Sequence, residues 1–421
     1  MTRTVAFHTL GCKVNQVDTQ GMASLFVQSG YEIVGFDEVA DTYVINTCTV
    51  TNTGDKKSRQ AIRHALTHNP DAIVAVTGCY AQIEPQACAI PGVHVVLGNQ
   101  YRDRIVMLCE QQTPIIMVDD LTQAKYEELP IGATEKTRAF LKIQEGCRQF
   151  CSFCIIPYAR GPLRSRHLAS IVEEARQRLA QGFHEIVLTG INLSAYHDEG
   201  NDLADVVLAL DEMAVQHNSR IRLGSLEPHT LTDTFIDKLS MAKSLCRQFH
   251  VPLQSGCDET LQAMNRRYTT AAYAQIIGRM RRQWPGAAIT TDVMVGFPGE
   301  TEAQFEQSLS FCRSIGFAQM HVFPCSKREG TAAAKLPQLS RSVKQQRARM
   351  MGQAAQEMAQ TYMLGLVGET DTVLVEEPYK DGMIGYNDRY VQVLVPQGQP
   401  GELLRVRLDG VEDTYMTGSV T

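Results

Sequence analysis

The sequence predicts an α/β protein in three parts. A doubly wound parallel α/β domain is expected over residues 1–128, a partial (βα)6 barrel over 134–360 and a small β-barrel over 361–421. Two observations predict the first two parts. Short apolar runs alternate with amphipathic stretches, which argues for parallel sheets covered by helices. After residue 134 that alternation recurs about every 30 residues, six times, short of the eight of a closed βα barrel. The third part rests on a change of period near residue 361, where polar and apolar residues begin to alternate between Gly, Asp and Asn turns.

Composition sets the frame. Of 421 residues, 44% are apolar and 20% charged, as in globular proteins. No run of about 18 apolar residues exists, so no membrane span is expected. The N-terminus, Met1-Thr-Arg-Thr-Val-Ala-Phe-His-Thr-Leu, turns polar too early for a signal peptide. The expectation is a cytoplasmic protein, in which twelve cysteines serve clusters, catalysis or burial rather than disulfides. The net charge of −6 gives no global sign of nucleic acid, but cations are unevenly placed. Lys136, Arg138, Lys142, Arg148, Arg160, Arg164 and Arg166 face Glu145 alone across residues 136–166. Arg266, Arg267, Arg279, Arg281 and Arg282 form a second stretch, and Lys327, Arg328, Lys335, Arg341, Lys344, Arg347 and Arg349 a third. Solvated helix faces are the plainer reading, above all for the third. Around a cysteine loop, such cations point to an anionic substrate.

In the first part, Val5–Leu10, Tyr43–Asn46, Ile73–Thr77 and Val93–Leu97 read as strands, and Gln16–Ser29 as a helix closed by Gly30. Three of these strands run into a cysteine: Leu10-Gly-Cys12, Ile45-Asn-Thr-Cys48 and Val76-Thr-Gly-Cys79. Parallel sheets bind ligands beyond the carboxyl ends of their strands. Neighbouring strands would gather these thiols into a three-thiolate cluster site. Three unrelated buried thiols are the alternative. Residues 129–137 lack periodicity and read as a linker.

In the second part the strands are Ala139–Ile143, Glu185–Thr189, Arg220–Gly224, Phe249–Leu253, Ile289–Val295 and Met320–Phe323, with a long terminal helix over Leu336–Gln360. After the first strand comes Cys147-x3-Cys151-x2-Cys154, with no fourth cysteine nearby. Structural zinc takes four protein ligands, and a cubane [4Fe-4S] cluster normally takes four thiolates. Three thiolates leave one iron open to a substrate or cofactor. A zinc knuckle completed by a distant histidine, or a redox pair, is the competing reading. The third part offers strands at Asp371–Glu376, Arg389–Val395 and Glu402–Leu408, consistent with a five-stranded barrel of the kind that often binds nucleic acid.

With these motifs placed, the chain resembles the radical S-adenosylmethionine (radical-SAM) methylthiotransferases along essentially its whole length. The resemblance is carried by Thr9-Leu-Gly-Cys-Lys-Val-Asn15, Asn46-Thr-Cys48, Thr77-Gly-Cys79 and the loop Glu145-Gly-Cys-Arg-Gln-Phe-Cys-Ser-Phe-Cys-Ile-Ile-Pro-Tyr-Ala-Arg-Gly161. Val251-Pro-Leu-Gln-Ser-Gly-Cys-Asp258 and Met264-Asn-Arg-Arg-Tyr-Thr269 are similar to the threonylcarbamoyladenosine branch. The resemblance implies two [4Fe-4S] clusters. One, on Cys147, Cys151 and Cys154, binds S-adenosylmethionine at its open iron and cleaves it to methionine and a 5′-deoxyadenosyl radical. The other, on Cys12, Cys48 and Cys79, supplies sulfur. It further implies a C-terminal TRAM barrel, a tRNA partner contacted at the anticodon stem-loop, and an electron donor such as a flavodoxin or ferredoxin. The implied product is the 2-methylthio form of N6-threonylcarbamoyladenosine at tRNA position 37. Family alternatives are an isopentenylated adenosine or a ribosomal-protein aspartate. A non-catalytic iron–sulfur RNA-binding protein is the alternative from another class.

Other candidates follow the strands of the central part. Gly190 and Asn192 lie after the second strand, where relatives approach the cofactor's amino group; an ordinary strand-end turn is the alternative. Gln254 and Ser255 follow the fourth. Gly296 and Gly299 follow the fifth, allowing close approach of the adenosine. The alternative there is a tight turn with a helix starting at Glu300. Glu227 and Arg160 are candidates to touch cofactor or substrate, and Ser326 and Arg328 to reach the same mouth after the sixth strand. Asn15 reads equally as a helix N-cap. Cys88, Cys109, Cys246 and Cys312 read as buried thiols; Cys257 and Cys325 lie at the mouth, where packing is the leading reading. The barrel departs from an RNA-binding pattern. From Val367 on it holds only Lys380, Arg389, Arg405 and Arg407 against ten acidic residues. The stretches near the cluster loop and at 264–282 are therefore expected to make the main electrostatic contact.

Overall fold

The computed structural model describes residues 2–111, 113–134 and 136–421. Met1, Gln112 and Glu135 lie outside the described residues, the last within the expected linker. The chain divides into two compact units: residues 1–135, 142–166 and 326–331, and residues 136–141, 167–325 and 332–421.

The first unit is built on strands β1 (Arg3–Thr9), β2 (Tyr31–Val34), β3 (Thr42–Thr47), β4 (Ile73–Gly78), β5 (Val95–Leu97) and β6 (Ile115–Met117). They form one sheet in the order β2-β1-β3-β4-β5-β6, parallel throughout. Alternate residues of each central strand serve opposite faces. Tyr43, Ile45, Val74 and Val76 pack against Ala61, Ile62 and Ala65 of helix Asn52–His68. Val5, Val44 and Ala75 pack against Met22 and Phe26 of helix Lys13–Gln28, whose face they share with Ile105 and Leu108. Both faces are thus covered, which explains the continuous apolar reading of β3 and β4. Sequence reading overlooks β2 and β6. Both are short edge strands with little buried surface. Leu129, at the start of the expected linker, packs onto the core against Gly21.

The second unit begins in β7 (Ala139–Glu145), whose last four residues belong to the first unit, where they meet the two-residue antiparallel strand β8 (Arg164–Ser165). It continues through β9 (Glu185–Gly190), β10 (Arg220–Leu223), β11 (Gln248–His250), β12 (Ala288–Val295) and β13 (Gln319–Pro324). Strand β9 lies between β7 and β10, and β12 between β11 and β13. Parallel bridges Ile221 to Leu245 and Ser225 to His250 join the two groups, so the six strands follow one another in chain order as the βα repeat predicts, β9 to β13 all parallel. The long helix Arg341–Leu364 leads into a closed five-stranded barrel. Its strands are β14 (Thr370–Tyr379), β15 (Gly382–Asn387), β16 (Gln392–Val395), β17 (Leu403–Val411) and β18 (Met416–Val420). Met363 and Leu366 plug the barrel core from the helix end.

Buried arginines clamp this barrel to β10. Arg220 and Arg222 share Glu185 of β9, at 2.7 Å each, and donate to the carbonyls of Thr372, Tyr386, Asn387 and Asp388. Desolvation pushes the Glu185 carboxyl up, but Arg222 and Arg220 more than offset it and hold it well below the usual range. Among the described residues no helix is long and apolar enough to cross a membrane.

Candidate cluster and cofactor sites

The dispersed cysteines meet at the carboxyl edge of the first sheet. In register, Thr9 of β1 lies beside Asn46 of β3, and Asn46 beside Thr77 of β4. Cys12, Cys48 and Cys79 follow these residues by two or three positions, so adjacent strands deliver them to one edge. Gly11 fixes the approach. Its φ is +99°, and a Cβ there would stand 2.9 Å from both Cβ and Sγ of Cys48. Asn15 is not the helix N-cap, a place taken by Cys12. Its amide instead donates to the Leu10 carbonyl at 2.7 Å and the Thr47 carbonyl at 3.0 Å, tying the ends of β1 and β3 together. Cys48 and Cys79 are buried and Cys12 is exposed. Burial, reinforced by the neighbouring thiols of Cys79 and Cys12, pushes the Cys48 thiol up to about 11. Three thiols this close repel as thiolates and gain most from cations between them. Among the described residues no three His, Cys, Asp or Glu side chains converge tightly enough for a single metal ion. A four-iron cluster takes each thiolate on a different iron, and three thiols brought to one sheet edge supply that donor set with one iron left open.

The second triplet also belongs to the first unit. It occupies the loop between β7 and the short helix Ile156–Arg160. The loop is cinched by the Cys147 amide donating to the Gly161 carbonyl at 3.0 Å and the Cys154 amide to the Cys151 carbonyl at 2.9 Å. At Gly146, with φ +78°, a Cβ would collide with the Pro162 carbonyl oxygen, so only glycine enters this loop. Cys151 is buried; Cys147 and Cys154 are half-buried, open enough to meet a ligand. Phe150 holds φ +46°, a costly conformation for an aromatic residue, and is exposed edge-on to Tyr158.

Between the two triplets lies a buried charge network that the sequence conceals. Asp18, with no exposed surface, pairs with Arg102, Lys142 and Arg160. Glu145 pairs with Lys142 at 3.0 Å and Arg160 at 2.8 Å, and Glu127 with Arg102 at 2.7 Å. Desolvation opposes both buried carboxylates, yet their cations dominate: Asp18 lies below its ordinary value and Glu145 well below. The expectation that residues 136–166 present cations to RNA is corrected here. Lys142, Arg160, Arg164 and Arg166 are all buried, and only Lys136 and Arg148 are exposed. Arg160 faces Cys79, Asp18, Glu145 and Asn15 within the first unit. A second correction concerns Ser326 and Arg328. They pack within the first unit, Ser326 accepting from the Asn52 amide and Arg328 pairing with Asp55 at 2.6 Å and Thr49 at 2.6 Å.

The remaining candidates stand in the second unit. Gly190 ends β9, and Asn192 is half-buried within reach of Ser194. Glu227 is engaged: its carboxylate pairs with buried Arg266 and its amide donates to Ser194. This also removes Arg266 from the exposed cations expected at 264–282. Gln254 carries two marks of a ligand site. Its φ is +66°, and its side-chain oxygen is buried without a hydrogen-bond partner. Such an orphan acceptor fits the ammonium or hydroxyl donors of an amino-acid-bearing cofactor. Ser255 is fully buried and accepts from the Cys257 amide at 3.3 Å. Gly296 has φ +69°, but a Cβ there would meet Lys344 at 2.6 Å. Its glycine therefore answers to packing under the long helix, whereas Gly299 is open. Glu300 is not a helix start; Thr301 caps helix Glu302–Ile315, and Glu300 is buried against Arg347. Cys88, Cys109, Cys246, Cys257, Cys312 and Cys325 are all buried. In the barrel, Arg389 is buried against Glu369 and Lys380 bonds the Tyr415 hydroxyl, which leaves Arg405 and Arg407 as its exposed arginines.

A βα repeat with a three-cysteine loop after its first strand defines a radical-SAM protein, and residues 141–312 match the model of the Radical SAM superfamily. Residues 4–98 match the model described as uncharacterized protein family UPF0004. The chain is 42% identical to the threonylcarbamoyladenosine tRNA methylthiotransferase MtaB of Bacillus subtilis (strain 168), over 96% of this chain and 93% of that one. It is 37% identical to the protein of the same name from Aquifex aeolicus (strain VF5), over 93% of this chain and 100% of that one. This chain therefore belongs to the radical-SAM methylthiotransferase family and is a transferase. Among solved structures, the radical S-adenosylmethionine methyltransferase TsrM from Kitasatospora setae shares the fold, with a TM-score of 0.58 at 15% identity over 77% of this chain and 75% of that one.

Proposed function

We propose that this protein methylthiolates C2 of N6-threonylcarbamoyladenosine at position 37 of tRNA. Two separate three-cysteine sites in one chain carry the reading. One would suffice for radical generation, and a second is what sulfur insertion adds. The branch rests on the 42% identity to a relative named for that substrate. In this reading Cys147, Cys151 and Cys154 hold the cluster that binds S-adenosylmethionine, and Cys12, Cys48 and Cys79 hold the auxiliary cluster. When bound, these groups supply radical formation and sulfur. The chain's own work is to orient and to exclude water. Gln254, with Gly190, Asn192 and Ser255, would seat S-adenosylmethionine, while Glu227 would act through Arg266 rather than by direct contact. The three-part division into residues 1–128, 134–360 and 361–421, a cytoplasmic location, an anticodon stem-loop contact and a flavodoxin or ferredoxin donor belong to the same proposal.

Nucleoside mass spectrometry of tRNA from a strain lacking the gene tests it. The 2-methylthio-N6-threonylcarbamoyladenosine peak should vanish and its unmodified precursor should accumulate. An unchanged peak, or loss of a methylthiolated isopentenyladenosine instead, overturns the substrate. Anaerobic reconstitution should load about eight irons per chain; about four would remove one of the two sites.

A further inference from the structure

We propose that Arg160 is a positioning residue for the auxiliary cluster: its guanidinium donates a charge-assisted hydrogen bond to the ligand sulfur of Cys79 and raises that cluster's reduction potential. The inference rests on the reading of Cys12, Cys48 and Cys79 as cluster ligands.

Arg160 has no exposed surface, and its planar fork is almost fully used. Nε lies 3.1 Å from Cys79 Sγ. One terminal nitrogen donates to Asp18 at 3.0 Å and to Glu145 at 2.8 Å, and the other to the Asn15 side-chain oxygen. These acceptors lie on helix Lys13–Gln28, on β7 and at Cys79 just past β4, so the guanidinium is held from three elements with its Nε edge on sulfur. Two carboxylates and an amide orienting one arginine exceed what a helix cap or surface pair needs. A ligating Cys79 is a thiolate, which makes the contact an ion-to-ion hydrogen bond in a dry setting. Reduction adds negative charge to a cluster, and a fixed cation on a ligand sulfur favours the reduced form. Hydrogen bonds to sulfur are among the determinants of cluster potentials. Lys142 shares both carboxylates with Arg160 yet has no contact with a cysteine sulfur among its hydrogen bonds, so it separates a sulfur contact from general charge.

The test uses full-length protein in which Cys147, Cys151 and Cys154 are replaced by Ala, so that only the auxiliary cluster loads. Reconstitution should give about four irons, and potentiometry followed by electron paramagnetic resonance reads the midpoint. Arg160→Gln should lower the reduced-to-oxidised ratio at a fixed potential about tenfold, ~59 mV for a one-electron couple. Arg160→Lys keeps the charge without the Nε contact and should shift the ratio in the same direction by a smaller factor. Lys142→Met should leave it unchanged. A loaded Arg160→Gln protein with the parent potential overturns the inference, as does an equal shift in Lys142→Met. If Arg160→Gln loads no iron, Arg160→Lys decides, and an unmoved potential there overturns it. A parent that binds no iron overturns the cluster reading itself, and this inference with it.

Discussion

Replacing Asp18 by Asn removes one charge from the least solvated part of the first unit. Four cations (Arg102, Lys142, Arg160 and Arg164) lie there with three carboxylates (Asp18, Glu127 and Glu145), and Asp18 and Glu145 each pair with the same three, Arg102, Lys142 and Arg160. The variant leaves four cations to two carboxylates. The amide still accepts hydrogen bonds but supplies no charge. Breaking a buried pair from one side costs about 3–5 kcal/mol, because the partner charge stays buried. With a urea m value of ~2–3 kcal/mol/M, the midpoint should fall by about 1–2.5 M. The chain offers a selective assay. Its single tryptophan, Trp284, belongs to the second unit. Circular dichroism of cluster-free protein at pH 7 should therefore show an early transition in the variant while Trp284 fluorescence keeps its parental midpoint. A dichroism shift below about 0.3 M would refute the charge argument, and an equal shift of both signals would refute its confinement to the first unit.

Three further outcomes are expected. Gly146→Ala forces a Cβ onto the Pro162 carbonyl at a backbone φ of +78°, so reconstituted iron should fall from about eight to about four per chain; full loading would refute the steric reading. Gln254→Ala should weaken S-adenosylmethionine binding about 5- to 150-fold, the ~1–3 kcal/mol of a lost buried hydrogen bond, and equilibrium dialysis with an unchanged Kd would remove Gln254 from the site. Glu185 sets an acid limit on the second unit. Its folded pKa is depressed by Arg222 and Arg220, so its stabilisation is complete above the unfolded value of about 4.3 and is lost as pH falls below it. Trp284-monitored stability should drop below about pH 4.3 in the parent and less steeply in Glu185→Gln; parallel profiles would refute the assignment.

The sequence made much of the fold legible because periodicity survives wherever burial is symmetrical. Strands β3, β4 and β9 are buried along nearly their whole length and carry the apolar runs Tyr43–Ile45, Ile73–Val76 and Ile186–Leu188, whereas β12 is buried although Thr290, Thr291 and Asp292 interrupt it. Edge strands β2 and β6 bury too little to leave a pattern, and β15 and β18 interleave glycine with mixed residues. Cys12, Cys48 and Cys79 were legible through a shared position, each a step or two past a strand end. The charge network was not. A lysine or arginine has the same letter whether it faces water or a buried carboxylate, and its partners Asp18 and Glu145 lie 127 residues apart in the chain. Density of cations along residues 136–166 therefore suggested an RNA surface where the fold has an interior. Arg328 misled for the same reason: following β13 in sequence, it pairs with Asp55 far upstream.

The make-up of the first unit has a consequence for its synthesis. A nascent chain can form the parallel sheet once residue 117 has emerged, but the unit also needs residues 142–166 and 326–331. Translation at about 5–20 residues per second puts roughly 10–40 s between residues 135 and 331. During that interval Cys79 waits for Arg160, Asp18 waits for Lys142 and Asp55 waits longest, for Arg328. The bare thiols are then at their most open to oxidants and stray metals.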